Sequence, residues 1–269
     1  MNFVPKSLLE ITERPGDYWR DGILFCGKCN TPRTALMGAN TGELAGRLVP
    51  TTCKCNGERE SAAALEKHRE RVEQLRSKCL PLADMRAATF DNADNCKAVQ
   101  IARKYVDKWE SMQAENIGLL FCGNTGSGKS YAALCIVNAL IDHEIDARYI
   151  TAPEAIAVLK EAGEARRELE RQVARSPLLV LDDLGAEGGN EYAQSLVCQI
   201  VDARDRAGKP LIVTTNLPIA NFQGKADQMR ARTCDRIAKL CVPISVVGES
   251  RRQKQAAQKL QTAREMLEI

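Results

Sequence analysis

The stretch GNTGSGKS, residues 123–130, decides the fold of this chain. It fits the phosphate-binding pattern G-x-x-x-x-G-K-[ST] in full, after the apolar run GLLFC at 118–122 and before the apolar run YAALCIVNALI. This order predicts a strand, a glycine loop and a helix, in which backbone N–H groups and the helix N-terminus face phosphate oxygens. We therefore predict that ATP binds here, on Gly123, Asn124, Thr125, Gly126, Ser127, Gly128, Lys129 and Ser130.

Two side chains of this loop and three later ones are expected to carry the phosphate chemistry. Lys129 should reach the β- and γ-phosphates, and the Ser130 hydroxyl should bind Mg²⁺. The apolar run LLVLDD, 178–183, ends in two acids, of which Asp182 is expected to bind Mg²⁺ and Asp183 to orient or deprotonate water. The run LIVTTN ends in Asn216, which is expected to contact the γ-phosphate or the water.

The rest of the chain after about residue 85 alternates short apolar runs with longer helical patterns. The runs at 118–122, 147–150, 178–183, 211–215 and 243–247 read as strands, and helices are expected between them, notably at 153–162 and 189–207. Strands that alternate with helices of this length predict an α/β fold, a parallel sheet flanked by helices.

Five motifs in a fixed order resemble those of the AAA+ ATPases of the DnaC/DnaI-type bacterial helicase loaders. They are GNTGSGKS, LLVLDDLGAE, GKPLIVTTNLP, RARTCDRI and GESRR, within residues 85–255. The transposition helper ATPases of the IstB type are similar in the same segments. The resemblance implies an AAA+ P-loop NTPase core at 85–269 without a full helical lid, in which LDD is the Walker B motif and Asn216 is sensor 1.

The same resemblance gives roles to arginines near the end of the chain. Arg236 matches the arginine finger that reaches the ATP of a neighbouring subunit, and Arg232 lies one helical turn before it. Arg252 matches the sensor 2 arginine, with Arg251 as the alternative. These roles imply self-association in the ATP-bound state. One departure concerns Asp183, because the family usually has Glu there, and a side chain one methylene shorter bears on the rate of hydrolysis.

The first part of the chain contains two pairs of cysteines, FCGKCN at 25–30 and TTCKCN at 51–56. The C-x-x-C pair alone allows a redox couple, half of a zinc site or free cysteines. Together Cys26, Cys29, Cys53 and Cys55 supply the four thiolates of a closed structural zinc site, although the second pair is C-x-C. We predict a four-cysteine zinc-binding domain at 1–57 and a helical linker at 58–84, because so small a unit rarely folds without a staple.

Composition narrows the class of protein. A net charge of +3 is too small to argue for nucleic acid, and 12 aromatic residues are few for stacking on bases. No apolar run is long enough to span a bilayer, so no membrane partner is expected. Eleven cysteines without a secretory signal predict a reducing compartment, the cytoplasm of a bacterial or phage-infected cell.

The resemblance also implies partners. Gram-positive-type loaders grip the replicative DNA helicase through a zinc-bearing N-terminal domain, and loaders bind single-stranded DNA through the AAA+ core. In EARRELERQVAR, 164–175, however, alternating charges favour a solvated helix. The function expected is ATP-dependent helicase loading with slow hydrolysis. The alternatives are a transposition helper that binds DNA and a transposase, and an adaptor that binds ATP without hydrolysing it; a small-molecule kinase is disfavoured.

Overall fold

The computed structural model describes residues 11–185, 191–222, 228–246, 248 and 250–267, without the side chains of 43, 228–231 and 251–257. It divides the chain into two compact units, Met1–Glu70 and Arg71–Ile269. The boundary lies inside a helix, whereas the sequence placed domain limits at 57 and 84. The limits at 57 and 84 therefore stay predictions of where the functional domains begin and end.

The first unit contains two short hairpins followed by the first part of a long helix. Strands β1 (Tyr18–Arg20) and β2 (Ile23–Phe25) pair antiparallel, as do β3 (Thr34–Leu36) and β4 (Leu48–Pro50), and α1 spans Lys54–Cys79. The first hairpin turns through Asp21 and Gly22, both with positive φ, which matches the twist of paired strands. Leu24 is buried between the hairpins, and its N–H donates to the Thr34 hydroxyl.

Helix α1 begins four residues earlier than the predicted linker, at Lys54 rather than at 58. The reason is hydrogen bonding at its N-terminus, part of it to a residue 23 positions earlier in the chain. The Thr31 hydroxyl accepts from the Lys54 N–H at 2.9 Å, and the Cys53 carbonyl accepts from the Gly57 N–H at 2.9 Å. A side-chain acceptor at a helix start satisfies a donor that the helix itself cannot pair. Cys55 consequently lies in the first turn of the helix.

The second unit is built on a five-stranded sheet. Its elements, in chain order, are α2 (Ala83–Ala87), α3 (Lys97–Asp107), α4 (Trp109–Ala114), β5 (Gly118–Cys122), α5 (Lys129–Asp142), β6 (Ala147–Thr151), α6 (Ala152–Lys160), α7 (Glu164–Arg175), β7 (Leu178–Leu184), α8 (Glu191–Ala207), β8 (Leu211–Thr215), α9 (Gln228–Leu240), β9 (Cys241–Ser245) and α10 (Arg251–Leu267). The strand order is β6-β7-β8-β5-β9, and every neighbouring pair is parallel. The predicted α/β core is therefore confirmed.

Both faces of the sheet are buried under helices. Along β7, Leu179 and Leu181 belong to the cluster that contains residues of α6 and α8, whereas Leu178 and Val180 belong to the cluster that contains residues of α3 and α5. This alternation follows from the two-residue period of a strand. Among the described residues after Ser250 there is one helix, α10.

Observed bounds differ from expectation mainly at the last strand. It spans Cys241–Ser245 rather than 243–247, because it starts directly after α9 and its buried Cys241 aligns with Gly118 of β5. The helix expected at 189–207 is described from Glu191 onward, and residues 186–190 lie outside the described part. Within that described part, no helix combines the length and the apolar character that a membrane span requires.

A buried arginine joins α8 to the neighbouring segments of the sheet layer. Arg204 is fully buried, and its guanidinium donates to the carbonyls of Val173 at 2.9 Å, Ser176 at 2.8 Å and Pro177 at 3.3 Å, and also to that of Pro210. Burial lowers the pKa of Arg204 to about 10, so the group stays charged at neutral pH. The arginine thus pairs carbonyls at the end of α7 and before β7 and β8.

Replacing Arg204 with methionine is expected to lower the free energy of unfolding by about 3 kcal/mol, because buried carbonyls lose their charged donor. Urea unfolding followed by circular dichroism measures the change. Arg206→Met is the matched control, since Arg206 lies on the same helix and is exposed; it should change stability by less than about 0.5 kcal/mol. Equal effects of the two substitutions would contradict the structural role.

Candidate functional site

The loop between β5 and α5 has three positions with a backbone conformation that favours glycine. Gly123, Gly126 and Gly128 have φ values of 154°, 82° and 92°. A Cβ at Gly126 would lie 2.2 Å from Ser250 Oγ, and one at Gly123 would lie 1.9 Å from the Val246 carbonyl oxygen. At Gly123 the close neighbour is backbone, so a side chain there would displace the loop, whereas at Gly126 the positive φ itself strains any other residue.

A cavity of about 670 Å³ opens in front of this loop at the carboxyl edge of the sheet. The strands contribute Asp182 and Asp183 from β7, Thr214 from β8 and Asn216, which directly follows β8. The loop and the first turn of α5 contribute five predicted residues: Thr125, Gly126, Gly128, Lys129 and Ser130. The structure therefore brings together the side chains that the sequence assigned to phosphate and magnesium.

The other three loop residues support the loop from outside the cavity lining. The Asn124 side chain donates to the Gly248 carbonyl at 2.7 Å and accepts from the Gly248 N–H at 3.4 Å. Ser127 is buried, with 5% exposure. The Gly123 N–H donates to the Thr215 carbonyl at 3.3 Å. These residues hold the loop between β8 and the segment that follows β9.

A continuous line of hydrogen bonds joins the loop lysine to the second acid of LDD. The Lys129 ammonium donates to the carbonyls of Gly123 and Asn124 and to Asn216 Oδ1, each at 2.9 Å. Asn216 Nδ2 in turn donates to Asp183 Oδ1 at 3.2 Å. The Asn216 side chain thus contacts both the Lys129 ammonium, which is expected to bind phosphate, and the Asp183 carboxylate, which is expected to act on water.

Strand β7 is irregular at the two acids. Its pairing with β8 shifts between Leu181 and Leu184, and Asp183 has a φ of 57°. In a regular strand adjacent side chains point to opposite faces of the sheet. The irregularity instead lets Asp182 and Asp183 both line the same cavity, which the sequence pattern alone did not predict.

Two threonines of β8 stabilise this irregularity. The Thr214 hydroxyl accepts from the Asp183 N–H at 3.0 Å, and the Thr215 hydroxyl donates to the Leu184 carbonyl at 2.6 Å. They replace ladder hydrogen bonds that the register shift removes. Sequence analysis passed over these threonines, although two hydroxyls in the otherwise apolar run LIVTT were a usable signal.

Tyr149 of β6 is a second residue that the sequence analysis missed. Its hydroxyl donates to Asp182 Oδ2 at 2.6 Å, and the Thr214 hydroxyl donates to Asp182 Oδ1. Burial, and then the Asp182 charge, raise the pKa of Tyr149 far above its ordinary value, so the phenol remains a donor. Asp182, with 5% exposure, keeps its buried carboxylate paired on both oxygens.

The donor set of the cavity fits the magnesium ion that a nucleotide brings. Ser130 and Asp182 supply a hydroxyl and a carboxylate to the same cavity, and hard oxygen donors are the ligands that Mg²⁺ prefers. Asp183 adds a second carboxylate next to the first. Adjacent carboxylates favour a cation between or beside them.

The first unit brings the four predicted cysteines into one cluster. The sulfur atoms of Cys26, Cys29, Cys53 and Cys55 all lie within 4.8 Å of one another. Cys26 and Cys55 are 3.6 Å apart and Cys53 and Cys55 are 3.7 Å apart, close to the roughly 3.8 Å between thiolates around tetrahedral zinc. The C-x-C pair fits because Cys53 precedes α1 and Cys55 lies in its first turn.

The thiols of this cluster have pKa values that move in opposite directions. A hydrogen bond with the Thr31 hydroxyl lowers the pKa of Cys29 to about 6. The neighbouring Cys26 thiol, and then those of Cys29 and Cys53, raise the pKa of Cys55 to about 12. Four thiols this close resist losing all their protons together unless a cation balances the charge. The donor set, the spacing and this electrostatic demand all fit zinc.

The predicted arginine finger contacts its own chain. Arg236 of α9 forms an ion pair with Asp202 of α8, and its Nη1 lies 3.6 Å from Cys198 Sγ. Arg232 is exposed on the same helix. Arg251 and Arg252 begin α10, but their side chains lie outside the described part of the structure.

Helix α7 carries the charges of EARRELERQVAR. Arg166 pairs with Glu170 at 2.9 Å, and Arg171 pairs with Glu168 at 2.9 Å. These ion pairs are internal to the helix, as expected for a solvated helical face.

Comparison with known proteins places the chain among ATP-binding proteins. Residues 58–259 match the family of IstB-like ATP binding proteins. The replicative helicase loader DnaC of Escherichia coli K12 is 26% identical over 144 residues, which cover 52% of this chain and 56% of DnaC. The protein y4pL of Sinorhizobium fredii, whose name describes an insertion-sequence ATP-binding protein, is 32% identical over 143 residues, or 51% of this chain and 57% of y4pL. The chain therefore spans little more than half the length of these relatives.

The crystal structure of DnaI has the same core fold. It superposes with a TM-score of 0.53 at 24% identity, over 63% of this chain and 93% of that one. This likeness supports the architecture of the sheet and its helices.

The cysteine cluster is expected to bind about one zinc ion per chain in freshly purified protein, measured by elemental analysis. Cys29→Ser should lose that zinc and lower the unfolding temperature of the first unit, because removing one of four ligands opens a structural site. Cys96→Ser is the control, since Cys96 lies outside the cluster. A well-folded sample without metal, or zinc retained in Cys29→Ser, would overturn the assignment.

Proposed function

The chain belongs to the family of IstB-like ATP-binding proteins, and from that premise we propose that it is an ATP-dependent loader of a replicative DNA helicase. The observation that carries the proposal is a separate cysteine-rich unit, Met1–Glu70, preceding an ATP-binding core that is similar to DnaC. Transposition helpers of the IstB type usually begin with a plain helical segment instead.

In this proposal the loop residues bind ATP. The backbone of 123–130 surrounds the phosphates, and the N-terminus of α5 adds its positive dipole end. Lys129 exchanges part of its contacts with loop carbonyls for phosphate oxygens, which is a small change because its ammonium already lies at the loop. Ser130 and Asp182 hold Mg²⁺, which when bound neutralises phosphate charge during phosphoryl transfer.

Hydrolysis then depends on Asp183 and Asn216. Asp183 accepts a proton from water or orients it, and Asn216 fixes the carboxylate by the hydrogen bond that it donates. Because Asn216 also accepts from Lys129, phosphate binding at the lysine and the position of the base are mechanically linked. The irregularity in β7 places the shorter Asp183 among the residues that line the cavity.

The partners belong to the same proposal. The zinc-stapled unit binds the replicative helicase, and the ATP-binding core binds single-stranded DNA. Arg236 reaches the ATP of a second copy after leaving Asp202. Since both partners of that ion pair are partly exposed, at 36% and 23%, breaking it costs on the order of 1 kcal/mol or less.

A transposition helper is the second candidate. Its support is the similarity to y4pL, at a higher identity than to DnaC over a segment of nearly the same length. In that case the core binds duplex DNA and a transposase, and the first unit serves a different partner. A non-hydrolysing adaptor would share the ATP site but show no turnover.

Asp183→Asn is expected to slow ATP turnover by about a hundredfold or more while ATP affinity changes little, because the amide cannot accept the proton. Turnover is measured with and without single-stranded DNA, and affinity with a fluorescent ATP analogue. Asp107→Asn, on the exposed side of α3, is the control and should turn over ATP normally. Wild-type turnover in Asp183→Asn would refute the assigned base, and binding without any turnover in wild type would favour the adaptor.

Full-length protein is expected to capture the replicative helicase of its own host in a pull-down with purified components. Cys29→Ser should lose capture but retain ATP binding, because the staple and the ATP site lie in different units. Cys96→Ser should behave as wild type. Binding of duplex DNA and a transposase, with no binding of helicase, would exclude the loader and support the transposition helper.

A further inference from the structure

The carboxylate of Asp182 lies between hydroxyl groups from the two strands that flank β7. In the sheet order β6-β7-β8, Tyr149 comes from one neighbour and Thr214 from the other. Tyr149 is paired in register with Val180, two residues before Asp182, so the tyrosine and the acid lie diagonally on one face. A long side chain is needed to cover that distance, and the phenol does so with a 2.6 Å hydrogen bond.

Two fixed donors on the two oxygens give the carboxylate one orientation. An aspartate with a single donor can rotate about its Cβ–Cγ bond, because that terminal torsion is broad. Here Thr214 is itself fixed, since its hydroxyl also accepts the Asp183 N–H at 3.0 Å. The remaining lone pairs of the Asp182 carboxylate therefore keep a constant direction relative to the cavity.

The charged groups around Tyr149 are consistent with its role as a hydrogen-bond donor to Asp182. The groups that act on the Tyr149 phenol are Asp182, Glu154 and Asp183, all acidic. Carboxylates only accept hydrogen bonds, so the phenol is the donor in its 2.6 Å hydrogen bond to Asp182 Oδ2. Glu154 is held away in the capping box at the start of α6, where it accepts from the Thr151 N–H and hydroxyl.

We propose that Tyr149 is a positioning residue for Asp182, which with Thr214 fixes the carboxylate that binds the magnesium of the bound nucleotide. The inference rests on the proposed function, because it assigns Asp182 to the metal. It predicts that the tyrosine acts through its hydroxyl, whereas a residue that only fills space beside β7 would act through its ring.

Tyr149→Phe removes the hydroxyl and keeps the ring. Binding of a fluorescent ATP analogue is measured over a series of Mg²⁺ concentrations and in EDTA, and turnover is measured over the same series. The Mg²⁺ concentration for half-maximal binding should rise by about tenfold, the usual scale for losing a hydrogen bond behind a metal ligand. Affinity in EDTA should be unchanged, and turnover should recover at high Mg²⁺.

Tyr192→Phe is the matched control. Tyr192 lies on α8 with 54% exposure and outside the cavity lining, so the Mg²⁺ series should match wild type. Thr214→Val tests the other donor, and it should shift the series in the same direction. Thr214→Ser keeps the hydroxyl and should show the wild-type dependence on Mg²⁺. The two Thr214 variants provide the test if Tyr149→Phe does not fold.

The possible outcomes distinguish failure of the positioning role of Tyr149 from failure of the proposed magnesium site. If wild type depends on Mg²⁺ and Tyr149→Phe has an unchanged series, the positioning role is overturned while the proposed ATP site stands. Equal losses of affinity with Mg²⁺ and in EDTA would also overturn it, since they indicate an effect on the loop or the fold. If wild type itself binds nucleotide without regard to Mg²⁺, the assignment of Asp182 fails, and this inference fails with it.

Discussion

The parallel pairing of β5 between β8 and β9 is the constraint on which the ATP-binding unit depends. Gly118 lies at the start of β5, between the two neighbouring strands, and a Cβ there would lie 1.9 Å from the Leu211 carbonyl oxygen. Because all five strands run the same way, their carboxyl ends meet at one edge. The glycine loop after β5, the acids of β7 and Asn216 after β8 are neighbours for that reason. Residues far apart in the sequence thus form one cavity.

Within this frame the threonines of β8 decide how the acids are presented. A regular β7 would bury one of the two carboxylates on the opposite face of the sheet. The hydroxyls of Thr214 and Thr215 pair the backbone groups that a register shift exposes, so the irregular strand costs little. The positions of the two acids therefore depend on β8, a strand that carries neither of them.

The first unit reaches stability by a different physical route. Its hairpins have three-residue strands and a small buried core around Leu24 and Thr34. So little apolar surface does not offset the conformational entropy of ordering the described residues of this unit, 11–70. A metal bound by the four converging cysteines, whose sulfur atoms lie within 4.8 Å of one another, would supply the missing free energy.

The sequence by itself determined the α/β class of the core and which residues are expected at the nucleotide site. The α/β core and the residues around the cavity were predicted from the motif at 123–130, the apolar runs and the strand that ends in acids. These features are recognisable because a phosphate loop requires its glycines and lysine at fixed spacing, and because the acids directly follow an apolar run. The four cysteines were likewise recognisable from their number and spacing. Tertiary structure alone decided which hydroxyls hold Asp182 and that Asp183 leaves the strand register. It also decided that Arg236 pairs with Asp202 and that α1 begins at Lys54. These features depend on which strands and helices become neighbours, and side-chain partners across a sheet have no local pattern in the chain.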